Sequence, residues 1–358
     1  VTPGYVIARK LTAPPAGRTF PVRVQKATAR SLTVHATPAT VTPGEWGVFL
    51  RSGGHLRVSG SALVDGTTAT WRVDGDMPRV AADEQASWSG IVAPTPDAAG
   101  MAHQDHLFQC RAGAVPAWFI GAAAGEANEV WAVHLHGMGS SRAGTLRGVV
   151  AARDAGLPSV VPAYRNTVEG PRVGGGRSHL GHTEADDVSD VLEQLSLTGR
   201  ERFVLYGWSM GAQIALRLAA SRRWRERVVS VVLDSPVLDW RGVIRANTVH
   251  SRLPASVARL AESWLENPRK ARFVGLDTAL RLDSMDWVSR AADIHQPVLI
   301  HHGTEDWSVP ISSSEAFVAA APQAQLIPAA GAGHTTSWNV GAEAYHARTS
   351  AFMRAARP

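Results

Sequence analysis

Ser209 sits in Gly207-Trp208-Ser209-Met210-Gly211, directly after the apolar run Phe203-Val204-Leu205-Tyr206 and before a helix-like segment. Glycines flanking a serine permit a sharp strand-to-helix turn. Such a turn lifts the hydroxyl above the end of a sheet and sets the first N–H groups of the helix beneath it. The chemistry open to a serine held this way is attack on a carbonyl carbon. A hydroxyl is a weak nucleophile on its own, so it needs an imidazole to take its proton and a carboxylate to fix the tautomer of that imidazole. The same pentapeptide also occurs as an ordinary turn before a helix, so the partners decide.

Both partners follow in the chain. Pro297-Val298-Leu299-Ile300 reads as a buried strand running into His301-His302-Gly303-Thr304-Glu305-Asp306, which puts Asp306 in the turn beyond its end. A second apolar run, Ala324 to Ile327, leads into Pro328-Ala329-Ala330-Gly331-Ala332-Gly333-His334, a glycine-rich loop able to present an imidazole. Ser209, Asp306 and His334 are therefore the expected nucleophile, acid and base. Glu305 and Asp234, the latter at the end of the run Val228 to Leu233, are rival acids, while His301 and His302 suit the lining of a sheet end.

A tetrahedral oxyanion needs more than one donor. Met210 supplies one backbone N–H. The loop His136-Gly137-Met138-Gly139, after the strand-like run Glu129 to Leu135, supplies the second through Met138, with Gly139 less favoured. His134 and His136 form an H-x-H pair, but Gly137-Met138-Gly139 brings no further ligand, so no metal is expected, and acyl transfer needs no organic cofactor. Trp208, Trp240, Trp307 and Trp338 lie near the inferred strand ends and are candidates for an aromatic substrate pocket.

The elements that must position these residues follow two patterns. Residues 1–92 carry many Pro, Gly and Thr and alternate apolar with polar positions, as in Pro21-Val22-Arg23-Val24-Gln25, which predicts a β-rich accessory region of short antiparallel strands. Residues 93–104 read as a linker. Residues 105–358 then alternate apolar strands with helical stretches, the pattern of an α/β fold with a doubly wound, mostly parallel sheet. Thr183 to Leu197 reads as a helix with a capping-box-like start at Thr183 and Asp186, and residues 241–292 as a helical cap over the site.

Composition limits the alternatives. With 45% apolar residues in 358 the chain can bury a sizeable core, and a lone cysteine, Cys110, excludes an intrachain disulfide. The net charge of +5 comes almost wholly from arginine, without the aromatic-interleaved basic runs of a nucleic-acid binder. No nucleic acid is expected as a partner. Association with an anionic membrane surface stays open, as does the oligomeric state. No run approaches the roughly 20 apolar residues of a spanning helix. The sequence opens at Val1 rather than Met, so an extracytoplasmic or anchored protein lacking its N-terminal segment and a cytoplasmic protein are both consistent with it.

With these residues in hand, the chain resembles the α/β-hydrolase superfamily over roughly residues 105 to 356, whose order of nucleophile, acid and base it shares. It is similar to serine hydrolases of the prolyl oligopeptidase and serine aminopeptidase type. Pro116-Ala117-Trp118, Tyr164-Arg165-Asn166, Leu180-Gly181-His182-Thr183-Glu184, Asp234-Ser235-Pro236 and Trp338-Asn339 look more narrowly like a group of actinobacterial α/β hydrolases, save that Ala185 stands where that group often has an aromatic. The resemblance implies Ser209, Asp306 and His334 as triad, Met138 and Met210 as oxyanion donors, and a membrane anchor or signal ahead of the β-rich region. It implies cleavage of small-molecule carboxylic esters through an acyl-enzyme; a serine peptidase and a non-catalytic binding protein on the same fold are the alternatives.

Overall fold

The computed structural model describes residues 2–81, 83–121 and 129–355. Alternating side chains close the first region into a barrel. Strands β1 (Val22–Ala27), β2 (Ser31–His35), β3 (Gly44–Leu50), β4 (His55–Asp65), β5 (Thr68–Asp74) and β6 (Gln85–Ser89) pair antiparallel in the order β1-β2-β5-β4-β3-β6, and β6 returns to β1. In β5, Ala69, Trp71 and Val73 point inward while the intervening residues do not, a period of two that fills the barrel with Leu32, Val34, Val48, Val58 and Trp71. A short helix α2 (Pro38–Val41) lies between β2 and β3, and its Thr40 carbonyl accepts the Trp71 indole N–H at 2.8 Å.

Ahead of the barrel lies a helix the alternating pattern did not announce, α1 (Pro3–Leu11), with proline in its first turn and Arg9 and Lys10 in its last. It packs against helices within residues 240–274, described below, and not inside the barrel.

The second region carries an eight-stranded sheet in the order β14-β13-β12-β11-β9-β10-β8-β7. The hairpin β7 (Gln104–Cys110) and β8 (Gly113–Ile120) runs antiparallel at one edge; β9 (Val130–Leu135), β10 (Ser159–Pro162), β11 (Arg202–Trp208), β12 (Val228–Asp234), β13 (Val298–Gly303) and β14 (Ala324–Ala329) run parallel. The inner parallel strands β9 to β13 are buried on both faces, so they read as largely apolar runs, whereas β14 lies at the edge and is only partly covered. Helices α3 (Leu146–Asp154), α4 (Glu184–Ser196), α5 (Gly211–Ala219), α9 (Ser312–Ala320) and α11 (Ala342–Ala355) are the main helices accompanying the sheet. The chain steps from β9 to β10 on one side and then to β11 on the other, so β9 and β11 meet at a topological switch point, where a crevice opens beyond the strand ends.

At α4 the capping box does not form: Thr183 makes no side-chain cap. Glu184 instead turns back, its carboxylate accepting the Ser178 hydroxyl at 2.8 Å and the His179 and Gly181 N–H groups at 2.9 and 3.1 Å. The acidic residue thus satisfies the loop before the helix. Cys110 is half-buried in the edge hairpin, and burial, with Asp187 and Asp190 nearby, pushes its thiol pKa up to about 12, which leaves it unreactive.

Between β12 and β13 stand α6 (Trp240–His250), α7 (Ala255–Glu266) and α8 (Pro268–Val274). Arg241 ties α6 to α7 and to the turn Leu282–Met285, its guanidinium donating to Glu262, Glu266 and Asp283, each at 2.9 Å. Helix α1 crosses α7, with Tyr5 edge-on to Trp264 at 4.9 Å. The barrel is clamped from the other side by α10 (Ser337–Val340), whose Asn339 amide donates to the carbonyls of Glu45 at 2.6 Å and Gly90 at 3.0 Å.

Candidate active site

Ser209 follows β11 directly, and its φ of 52° lies in the left-handed region that a residue with a Cβ rarely adopts. The glycines on either side make room for it. A Cβ at Gly207 would stand 2.7 Å from the Ala212 backbone, and one at Gly211 would collide with the Leu135 carbonyl of the neighbouring strand. Helix α5 can therefore start immediately below the serine.

The side chains of Ser209, His334 and Asp306 come together although the chain separates them widely. His334 Nε2 lies 2.9 Å from Ser209 Oγ, and His334 Nδ1 lies 2.7 Å from Asp306 Oδ2. Asp306 is buried at the end of β13, and its Oδ1 accepts the N–H groups of Ser308 at 3.0 Å and Val309 at 2.8 Å. Burial alone would raise its pKa. Hydrogen bonds from His302 and His334, the charge of His334 and the Val309 N–H outweigh burial and hold it well below the usual carboxylate range. The arrangement can take a proton from the serine and stabilise the resulting imidazolium.

Two residues outside the expected set hold this relay. The Ser235 hydroxyl, on a backbone at φ 46° just past β12, accepts the Thr335 N–H at 2.9 Å and so pins the loop carrying His334. His302 is wholly buried, with Nδ1 2.8 Å from Ser314 Oγ and Nε2 2.9 Å from the Val309 carbonyl, which fixes the turn presenting Asp306. The Asp234-Ser235-Pro236 string at a strand end is the signal that could have pointed to Ser235.

Of the two expected oxyanion donors, Met138 lines both of the spaces beside Ser209 described below, and Met210 follows the serine directly in the chain. Met210 is the N-cap of α5, and Met138 sits in the turn after β9 closed by Ser140 N–H to the Gly137 carbonyl at 3.2 Å. Neither backbone N–H has an acceptor among the described residues; that of Met210 is one of the unpaired donors at the start of α5. Gly137 lies against the serine: a Cβ there would be 3.1 Å from Ser209 Cβ.

The rivals are placed elsewhere. Glu305 is exposed. Asp234 is wholly buried, accepting the Tyr345 hydroxyl at 2.8 Å, and burial, opposed by Arg147 and Tyr345, raises its pKa to about 6. His301 stacks on Tyr345 and bonds Thr349 at 2.9 Å, His134 bonds Ser159 at 3.1 Å, and His136 stacks on Tyr164. Burial lowers His134 to about 3 and His136 to about 4, so both stay neutral. Among the described residues no three His, Cys, Asp or Glu side chains gather as a metal site would require.

Two chambers open on Ser209. One, of about 530 Å³, is mainly apolar: Val237, Trp240, Val243, Ile244 and Leu253 face Val6, Ile7 and Leu11 of α1, with Lys10 and Asn247 also in its lining. The other, of about 240 Å³, is bounded by His136, Gly137, Trp208, Arg147 and Thr335, and by Ser89, Gly90 and Ile91 at the end of the barrel. Of the four tryptophans, Trp208 and Trp240 each line one chamber. Trp307 is 61% exposed and stacks on His250, and Trp338 is buried behind Arg147, so neither lines these two spaces.

The chain belongs to the alpha/beta hydrolase family, whose model matches residues 132–348. No curated protein matches it. Solved structures share the fold at low identity. An esterase of Pyrococcus furiosus, 17% identical, superposes with a TM-score of 0.55 over 73% of this chain and 95% of its own. The protein Est1E of Butyrivibrio proteoclasticus, 14% identical, has a TM-score of 0.51 over 70% and 98%.

Proposed function

We propose that the protein is a serine carboxylesterase acting through Ser209, His334 and Asp306. The observation that carries this reading is the unbroken line of hydrogen bonds from Asp306 through His334 to Ser209, 2.7 and 2.9 Å long. Ser209 Oγ attacks the ester carbonyl as His334 Nε2 takes its proton. The negative charge that develops on the carbonyl oxygen is held by the N–H groups of Met138 and Met210, each worth about 3–4 kcal/mol of barrier. Collapse breaks the bond to the alcohol, which leaves with the proton from His334. Water, deprotonated by the same imidazole, then releases the acid and restores the serine. No cofactor enters these steps.

The apolar chamber suits the hydrocarbon of the acyl group, since each buried methylene contributes about 0.8 kcal/mol. Labelling with a fluorophosphonate probe, followed by a p-nitrophenyl ester chain-length series on the wild type and Ser209→Ala, tests the reading. Covalent labelling and ester turnover that both vanish in the variant are expected. Label or turnover retained in the variant defeats it.

A further inference from the structure

The second chamber holds a cation that the proposed mechanism does not use. Arg147, on α3, is 4% exposed and lies over the Trp208 ring at 4.6 Å. Its Nη1 donates to the Thr335 carbonyl at 3.0 Å and to the Asn339 side chain, and its Nη2 to the Gly144 carbonyl at 3.2 Å. All of these partners are neutral. Its Nε has no acceptor among the described residues, and no carboxylate among them comes within the 4.0 Å of an ion pair; Asp234 acts on it only from farther away. A buried charge is ordinarily paired, because leaving it unpaired costs several kcal/mol. This one lines the space in front of Ser209.

The far wall of that space belongs to the barrel. Ser89, Gly90 and Ile91 come down opposite the guanidinium, and Gly90 keeps the approach open: a Cβ there would stand 3.4 Å from Arg147 Nη1 and 3.0 Å from Asn339 Oδ1. The barrel therefore completes a recess whose single formal charge is positive, in a chain whose net charge of +5 draws anions toward it. Taking the esterase reading above as its basis, we infer that this recess receives an anionic group, carboxylate or phosphate, carried on the alcohol half of the ester, with Arg147 as its counter-charge and Gly90 leaving room for it.

Two matched pairs of esters test this, each with the same butyryl group. One pair sets the butyryl ester of glycolate against that of glycolamide; the other sets 2-(butyryloxy)ethyl phosphate against 2-(butyryloxy)ethanol. Wild-type kcat/KM should favour the anion by about 10- to 100-fold in at least one pair, the range expected of a charged hydrogen bond to a buried guanidinium, and the pair showing it tells carboxylate from phosphate. Arg147→Gln should bring that ratio down to about one, and Gly90→Val should lower it by narrowing the recess. The wild-type ratios decide even if Arg147→Gln does not fold. Ratios at or below one in both pairs overturn the inference, and do so separately from the esterase reading, provided Ser209 still takes the fluorophosphonate and p-nitrophenyl butyrate is turned over.

Discussion

The two chambers beside Ser209 are built on opposite principles. The cap side is a mainly apolar surface with α1 laid across it, whereas the barrel side is a smaller recess with a buried, unpaired guanidinium. The relay between them is common to both. One sheet thus carries Ser209, Asp306 and His334, while the N-terminal part of the chain completes both chambers, through α1 on one side and the barrel on the other.

The hardest blow to this contrast is to remove what the chambers share. Ser209→Ala should lower kcat by about 10⁶-fold for any ester, whichever chamber it fills, as measured with p-nitrophenyl butyrate. A loss confined to one substrate class would mean that the chambers serve separate centres.

A second comparison sets two buried aspartates at neighbouring strand ends. Asp306 is pulled down by the partners that need its charge, and Asp234 is pushed up to about 6 by burial. Asp306→Asn should cost about 10⁴-fold in kcat, as loss of the orienting carboxylate leaves the wrong tautomer. Asp234→Asn should leave kcat within about tenfold. Equal losses would erase the distinction.

The same pair differs in how stability responds to pH. Asp234 has a folded-state pKa raised from 3.8 to about 6, so between those values the unfolded chain gives up its proton first. Its contribution therefore falls as pH rises through that window and levels off above it, by about 3 kcal/mol in all. Asp306, with a lowered pKa, contributes in the opposite sense, its share being lost as pH falls below the ordinary carboxylate value. Denaturant melts of wild type and Asp234→Asn from pH 4 to 7 should show the variant gaining on the wild type as pH rises; parallel curves would contradict the raised value.

The smallest effect sharpens the apolar side alone. Wild-type kcat/KM should climb roughly three- to fourfold per added methylene until the chamber fills. Ile7→Trp, which crowds the chamber from α1, should lower the octanoyl-to-butyryl ratio by about tenfold. An unchanged ratio would remove α1 from the chamber wall.

What was legible in the sequence follows the range of the forces involved. Ser209, Asp306 and His334 each sit where a strand ends in a turn, and turns are written locally, in glycines and short polar residues. The alternation of β5 and the mostly apolar runs of β9 and β11 to β13 likewise declare the antiparallel strands and the parallel sheet, but not the closure of the former into a barrel. The chamber walls are different. Nothing near Arg147 says that it will be buried without a carboxylate, because that depends on Asn339 and on Gly90, both far away in sequence. Helix α1 carried a faint signal, Pro3 in its first turn with Gly4, Ala8 and Leu11 on one face, but only the cap it meets makes that face useful. Trp307 shows the converse: a residue adjacent to Asp306 in sequence, yet directed outward onto His250.

The α1 face of the larger chamber and the barrel face of the smaller one both lie before residue 132, where the match to the family begins. A library entry trimmed to the family core would keep the serine and its relay while shedding Val6, Ile7 and Leu11 on one flank and Ser89 to Ile91 on the other. On the esterase proposal, substrate profiling of such a fragment would test the relay without the surfaces that complete the two chambers.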